Sequence, residues 1–443
     1  MMRRFLILFV GLTAFLQAQF DRDPRAVGLA GAYGTISRGF SAVGWNPANL
    51  AFPDSSGNTR ISLGYVDFRI QNTVLSLKDV NYYNGRDLER PDPYTGEIPK
   101  EGFLELFQED GFRGEAGLSL VVPFLSLSHK NWAVTTRMIS AADFIMPYDY
   151  ADLFVNGNRI LKDYDLTIDL NSMVMAVADY SMGFPFEFGA VGFTLRYFQG
   201  LTYYGFDSDE STAHFLTDTT SLKAGAEYIT RLMYGGTGAG LDLGYTSNPW
   251  NGWQFSVALN NLFAQTYWNK PSYARMLLGV DEGDIYQSKK YVYRLKELTP
   301  MDFFGDTTGV MPTFEEIYMA EESSLNPPDG AVKIRYPAWV RFGLRRQLNP
   351  EVVWVSDFSA SFHNIFFARD SWLWSNGIEI VRSPAFPVRA GLAWGGKNNK
   401  HISFGFSVKT WILNLDFAMA LHNGFSLQTA KGIELALGGY LEF

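Results

Sequence analysis

From Thr59 to Phe443 the chain alternates apolar and polar residues with a period of two, interrupted at short intervals by turn residues. Alternation of this kind predicts β-strands with one apolar and one polar face. The last thirteen residues show it most clearly. Ile433, Leu435, Leu437, Leu441 and Phe443 fall on one face, and Glu434, Ala436, Gly438, Tyr440 and Glu442 fall on the other. Strands are expected at about residues 59–74, 115–127, 132–145, 163–181, 187–205, 238–247, 252–268, 331–346, 352–363, 371–382, 387–395, 401–408, 411–421 and 432–443, which makes about fourteen. An apolar strand running to an aromatic chain end leaves a bare pairing edge in an open sheet. Closing the sheet removes that edge, because the last strand then pairs with the first. The fold class expected is therefore all-β: a transmembrane antiparallel β-barrel of about fourteen strands, apolar face to lipid and polar face to a lumen.

Topology orders the rest. Barrels of this kind have short turns on one side, long loops on the other, and both chain ends on the short-turn side. Turns near His129, Gly183, Pro249, Asn349, Pro384 and Thr410 satisfy this if the β-like stretch from His214 to Met233 is an excursion of an outer loop. The long loops are then 75–114, 206–237 and 269–330. Alternation also assigns faces. Arg196, Asp242, Arg341, Arg345, Asp357, Glu379, Arg389 and Asp416 lie on the polar sets, and each would cost a few kcal/mol at a lipid-facing midplane, so they are expected in the lumen. Trp253, Trp354, Trp372, Trp394 and Trp411 lie near strand ends, as interfacial girdles require.

Composition agrees with this picture. Aromatic residues make up 16%, glycines number 42, and 47% of residues are hydrophobic, yet no run is long enough for a helical membrane span. A net charge of −9 argues against a nucleic-acid partner, and the absence of cysteine excludes disulfides and thiolate chemistry. Residues 1–18 read as a signal peptide: Arg3 and Arg4, an apolar stretch from Phe5 to Phe15, and a cleavage point after Ala18. An exported chain of this design belongs in the outer membrane of a Gram-negative-type bacterium. Its expected partners are membrane lipid and the barrel assembly machinery.

Residues 19–58 follow neither period. Gly28, Gly31, Gly34, Gly39 and Gly44 keep the segment compact, and it ends in Trp45, Asn46, Pro47 and Ala48. The triplet Gly28, Gly31 and Gly34 lacks the GxxxxGK[ST] ending of a phosphate loop. A Gly-rich leader closing on Asn46-Pro47-Ala48 resembles the start of the outer-membrane FadL-type long-chain fatty-acid channels and of the related PorV-like barrels of type IX secretion. The terminal strand likewise resembles the signal by which outer-membrane barrels are recognised for assembly. The resemblance implies a hatch folded inside the barrel. It also implies passive transport of a hydrophobic or amphipathic, fatty-acid-like small molecule, or, as the alternative, a scaffold or shuttle role beside secretion-system proteins.

The longest loops carry apolar helical faces, with Phe103, Leu104, Leu106 and Phe107 in one and Phe314, Ile317 and Tyr318 in the other. Thr313 and Glu316 have capping-box spacing. These faces either pack the loops together or, as the resemblance implies, form a groove where a greasy ligand first binds, made by Phe103, Leu104, Phe107, Phe314, Ile317 and Tyr318. Enzymatic chemistry has little to stand on. His129, His214, His363, His401 and His422 show no metal-ligand spacing, and no cofactor motif occurs. A barrel lipid hydrolase would need a Ser/His pair such as His363 with Ser359 or Ser361, and no GxSxG elbow accompanies it. No catalytic residue is assigned.

Overall fold

The computed structural model describes residues 23–52, 58–107, 111–207, 209–268, 279–280, 285–295, 318–326, 332–361, 372–396 and 399–443. The signal-peptide reading, Phe314, Ile317 and His363 lie outside these residues. Strands are β1 (Thr59–Asn72), β2 (Phe112–Val121), β3 (Leu127–His129), β4 (Trp132–Met146), β5 (Asp163–Asp165), β6 (Asp169–Phe186), β7 (Gly189–Phe206), β8 (Thr212–Thr217), β9 (Leu222–Tyr234), β10 (Thr237–Ser247) and β11 (Trp253–Tyr267). They continue with β12 (Tyr286–Leu295), β13 (Tyr318–Leu325), β14 (Lys333–Arg335), β15 (Trp339–Asn349), β16 (Val352–Ser361), β17 (Trp372–Ile380), β18 (Val388–Gly395), β19 (Asn399–Thr410), β20 (Leu413–His422) and β21 (Gly432–Glu442).

Fourteen of the described strands form a closed antiparallel ring in the order β1, β2, β4, β6, β7, β10, β11, β15, β16, β17, β18, β19, β20, β21 and back to β1. The seam between first and last strands extends to the chain end, where the Phe443 amide donates to the Thr59 carbonyl at 2.9 Å. Two staves are interrupted. β3 resumes the line of β2 after residues 122–126, and β14 precedes β15 across Tyr336, Pro337 and Ala338. Proline lacks the amide that a ladder needs, which accounts for the second break.

Outside the ring the fold adds what alternation alone did not place. The stretch from His214 to Met233 becomes two strands, β8 and β9, that rise above β7. Together with β5, β12 and β13 they form an outer sheet in the order β5, β8, β9, β12, β13. Tyr318 opens strand β13 and does not lie on a helix, a correction to the sequence reading. The segment YMAEESSL has moderate helix propensity, but pairing with the tyrosine- and valine-bearing β12 overrides it. Short helices α1 (Pro24–Gly28), α2 (Leu77–Tyr83), α3 (Pro99–Phe107) and α4 (Tyr148–Asn156) complete the described elements, apart from two 3-10 turns. The turn expected near Gly183 lies instead at Glu187 and Phe188, and Gly183 is inside β6. A Cβ at Gly183 would come within 2.7 Å of the Ala51 amide nitrogen, so this glycine makes room for the inner segment and does not turn the chain.

The outer wall is apolar. Every stave of the ring exposes at least one large apolar side chain, among them Phe68, Leu195, Phe255, Phe342, Phe404 and Leu437. At the short-turn end stand the exposed aromatics Phe188, Trp250, Phe386, Trp411 and Phe443, and at the other end Trp372, Trp374 and Trp394.

Candidate functional site

The interior is layered, and the layers can be followed residue by residue along the inward faces of β4, β6 and β7. Starting from the short-turn end, β7 presents Gly192, then Thr194, Arg196 and Phe198, while β6 presents Gly183, Ser181, Asp179, Val177 and Met175. β4 runs in step with Ala133, Thr135, Arg137 and Ile139. Each strand thus meets a hatch, then an ionic layer, then an apolar layer.

The hatch is described from Asp23 to Phe52; most of its residues are buried inside the ring and the rest are half-buried. Asp23 caps α1 by accepting from the Ala26 amide at 2.9 Å. Leu29 and Ala30 press so closely on β18 that a Cβ on Gly391 would lie 2.5 Å from the Ala30 nitrogen. Asp357 of β16 accepts from the amides of Tyr33 and Gly34 at 3.0 and 2.6 Å. The guanidinium of Arg341 covers the Trp45 ring at 4.4 Å. Phe40 stands edge-on to both Tyr65 and Tyr440. The motif residues then dock on the far side. Asn46 caps the 3-10 turn Pro47–Ala51, its Oδ1 accepting from the Ala48 amide at 3.1 Å. Its Nδ2 donates to the Tyr245 carbonyl and to Thr246 Oγ1, both at 3.0 Å. Proline at the first helical position already lacks the amide that a helix start leaves unpaired, so Pro47 fixes the turn at no cost. Ala48 is fully buried, and Gly192 of β7 has no room for a side chain against Pro47 and Ala48. Asparagine can cap and reach the wall at once because its amide both accepts and donates. Asn46→Ala is expected to loosen the hatch, since it removes a cap and two wall bonds together. The check is faster limited proteolysis near residues 23–52, with heat-modifiable gel migration of the barrel retained.

The ionic layer is fully buried at its β6, β7 and β10 side. Arg196 donates to Asp179 at 2.6 Å and to Asp242 at 3.2 Å, and also reaches Asn261. Arg137 donates to the other Asp179 oxygen at 2.7 Å. Asn261 sits at φ 59°, in a bulge of β11 that also holds Phe263 at φ 56°. Its amide donates to Asp242 at 2.7 Å and its side chain to the Pro337 carbonyl at 2.8 Å, so side chains replace ladder bonds where β11 and the stave beside it are irregular. On the opposite wall Arg389 donates to Glu379 at 2.5 Å and to Ser407 at 2.7 Å, and Ser407 donates to Asp416. Arg25 of the hatch lies 3.5 Å from Glu379. Arg345 donates to Gln347 and makes no carboxylate pair among the described residues.

Beyond the ionic layer the side of the lumen lined by β6, β7 and β11 turns apolar, while β1, β2 and β4 still present Arg69, Gln71, Glu115 and Asp143. Met173, Met175, Phe198, Tyr203, Met233 and Trp268 form the centre of one buried cluster, with Tyr336 closing it from the interrupted stave. Gly200 lies flat under the Trp268 ring. Phe103, Leu104 and Phe107, by contrast, are packed into a second cluster with Phe112, Phe144 and Ala151, and Phe107 is buried within it. Sequence reading missed Arg137, Asp179, Asn261 and His401, whose Nε2 donates to the Ala30 carbonyl at 3.2 Å. Arg137 and Asp179 were available from strand parity; Asn261 was hidden because a bulge shifts parity by one.

A closed ring of staves with an apolar outside, aromatic residues at both rims and charges paired within has one solvent that suits it. The chain folds as a closed, fourteen-stranded transmembrane β-barrel. No protein-family model and no curated protein matches its sequence. Among solved structures the barrel is similar to the toluene transporter TbuX of Ralstonia pickettii, at 11% identity over 95% of this chain and 98% of that one, with a TM-score of 0.49. It is also similar to the monoaromatic hydrocarbon channel CymD, at 12% identity over 95% and 97% of the two chains, TM-score 0.48. A Pseudomonas aeruginosa FadL homologue gives 14% identity over 95% and 98%, TM-score 0.48. Among the described residues no group of three or more His, Asp or Glu side chains is placed to hold a metal ion.

Proposed function

We propose that the barrel is a passive route across the outer membrane for hydrophobic or amphipathic small molecules, with the hatch as its inner barrier. The observation that carries this reading is the apolar cluster around Phe198 and Trp268, set inside a lumen. A barrel lumen is ordinarily polar, since water or polar loops fill it. Burying methionines and aromatics there, beside an ionic layer that is already neutralised, makes a place where a greasy molecule can replace side-chain contacts without stranding a charge. Met173, Met175 and Met233 suit the task, because unbranched thioethers repack at small cost.

Phe198→Glu is expected to abolish binding of a hydrophobic fluorescent probe to the purified barrel and to lower its uptake by at least about tenfold, as burial of an unpaired carboxylate opposes any apolar occupant. Phe198→Leu should retain most of both. Unchanged probe binding in a folded Phe198→Glu barrel would overturn the reading.

A further inference from the structure

Toward the short-turn mouth of the barrel, cationic side chains of the hatch and of the ring face one another. The hatch contributes Arg25 and Arg38, and the ring contributes Arg60 from β1, Arg345 from β15 and Lys409 from β19. The guanidinium of Arg25 stands over the Tyr33 ring at 5.8 Å, and that of Arg60 over the Tyr440 ring at 5.0 Å. Arg60 also donates to the Arg38 carbonyl at 3.0 Å, which ties hatch and ring together here. Arg345, Arg60 and Arg25 act on Arg38 as like charges, and Arg25 and Arg60 act in the same way on Lys409. Arg25, Arg38, Arg345 and Lys409 are only half-buried, so solvent reaches the joint.

Acids do not balance this cluster. Glu379 lies 3.5 Å from Arg25 but is shared with Arg389, and Glu442 is taken by Arg60 at 2.9 Å. Asp416 accepts from Ser407 and lies 3.7 Å from Arg389, and Asp23 caps α1. Arg38 is left with the Thr35 and Ser37 carbonyls at 3.1 and 2.8 Å and the Phe52 ring, and Arg345 with Gln347. Asp416 and Glu442 attract Lys409 without pairing with it. A chain of net charge −9 therefore concentrates cations at one joint. Two further donors accompany them. Tyr33 and Tyr440 are 0% and 2% exposed, yet neither hydroxyl makes a hydrogen bond among the described residues. A phenol buried to this degree ordinarily has a partner. Surplus cations beside unbonded hydroxyls make a receptor for an oxyanion, which accepts from both kinds of donor.

We infer that this joint binds a small oxyanion of the phosphate kind, and that the bound anion latches the hatch to the ring. Without it, Arg38 of the hatch and Arg345 of the wall repel each other across the joint; with it, both are drawn to one charge. The site lies inside the ring, on the opposite side of the wall from lipid, so the anion comes from the aqueous side and is not a lipid headgroup. The latch is independent of what the barrel transports.

The test is proteinase K cleavage within residues 23–52 of the purified full chain in a neutral detergent, with inorganic phosphate or chloride at equal ionic strength and pH. In wild type, phosphate is expected to slow cleavage saturably, by about tenfold at ten times the Kd that the titration returns, because binding to the docked hatch alone multiplies the docking equilibrium by 1 + [L]/Kd. Arg345→Gln combined with Lys409→Gln should lose the phosphate effect. With fewer like charges facing the hatch, it should be cut no faster than wild type in chloride. Tyr440→Phe removes a hydroxyl that bonds nothing among the described residues, so it should keep the chloride rate and weaken the phosphate effect. Heat-modifiable migration checks assembly of each variant. Equal cleavage of wild type in phosphate and chloride, or equal protection of wild type and the double variant, would overturn the site. Faster cleavage of the double variant in chloride would show that these cations hold the hatch by direct bonds, and would overturn the latch.

Discussion

Removal of residues 20–50 from the mature protein is expected to leave a barrel that conducts ions in planar bilayers far better than wild type, by on the order of tenfold or more, because the bore of a wide barrel is aqueous unless something fills it. The filling here is a chain segment, not wall side chains alone. Leu29, Ala32, Tyr33, Trp45 and Ala48 are all essentially inaccessible, and they contact staves on opposite sides of the ring. Wall glycines such as Gly192 and Gly391, shaped to receive the hatch backbone, have no side chain with which to close the gap it leaves. The hatch packs against the inner side of the β1–β21 seam, but the ladder bonds of that seam run between the two staves themselves, so the ring should still assemble and migrate as a heat-modifiable species. A deletion protein that conducts no better than wild type shows that the segment does not block the pore.

Arg196→Met is expected to destabilise the barrel by about 3–5 kcal/mol, the usual range when one member of a buried ionic network is removed. Asp242 would keep the Asn261 amide as its donor but lose its cation, and Asp179 would rely on Arg137 and Thr135 alone. All of this takes place where side-chain exposure is 0% for Arg196, Asp179 and Asp242, so water cannot compensate. The measure is the temperature or urea concentration at which the folded band is lost. A second change, Asp242→Asn, should recover part of the loss by removing the unmatched charge. Stability equal to wild type in Arg196→Met would show that the layer is not what holds β7 to β10 and β11.

Much of this architecture is written in the period-two alternation. A strand that must face lipid on one side and protein on the other has no other way to satisfy both solvents, so Ile433, Leu435 and Leu437 against Glu434 and Ala436 already specify a stave and its orientation. The same parity placed Arg196, Asp242, Arg341, Arg345, Asp357, Glu379, Arg389 and Asp416 on the polar face, and the structure turns these positions inward. The motif Asn46-Pro47-Ala48 was legible as a capped turn for equally local reasons: a side-chain amide before a proline.

What the tertiary structure decided is what lies across the lumen from what. Alternation says that a residue faces inward but not which stave stands opposite, so neither the Arg137, Asp179, Arg196 and Asp242 layer nor the gathering of Met173, Phe198, Met233 and Trp268 could be read from the chain. The loops were least legible. Phe107 has the apolar periodicity of a groove and of a packed core alike, and only its neighbours Phe112, Phe144 and Ala151 bury it. Tyr318 had a helical pattern, but β12 offered backbone bonds along a whole strand, and those long-range partners outweigh a propensity difference of a few tenths of a kcal/mol per residue. Faces are local properties of a strand, while partners are properties of the closed ring.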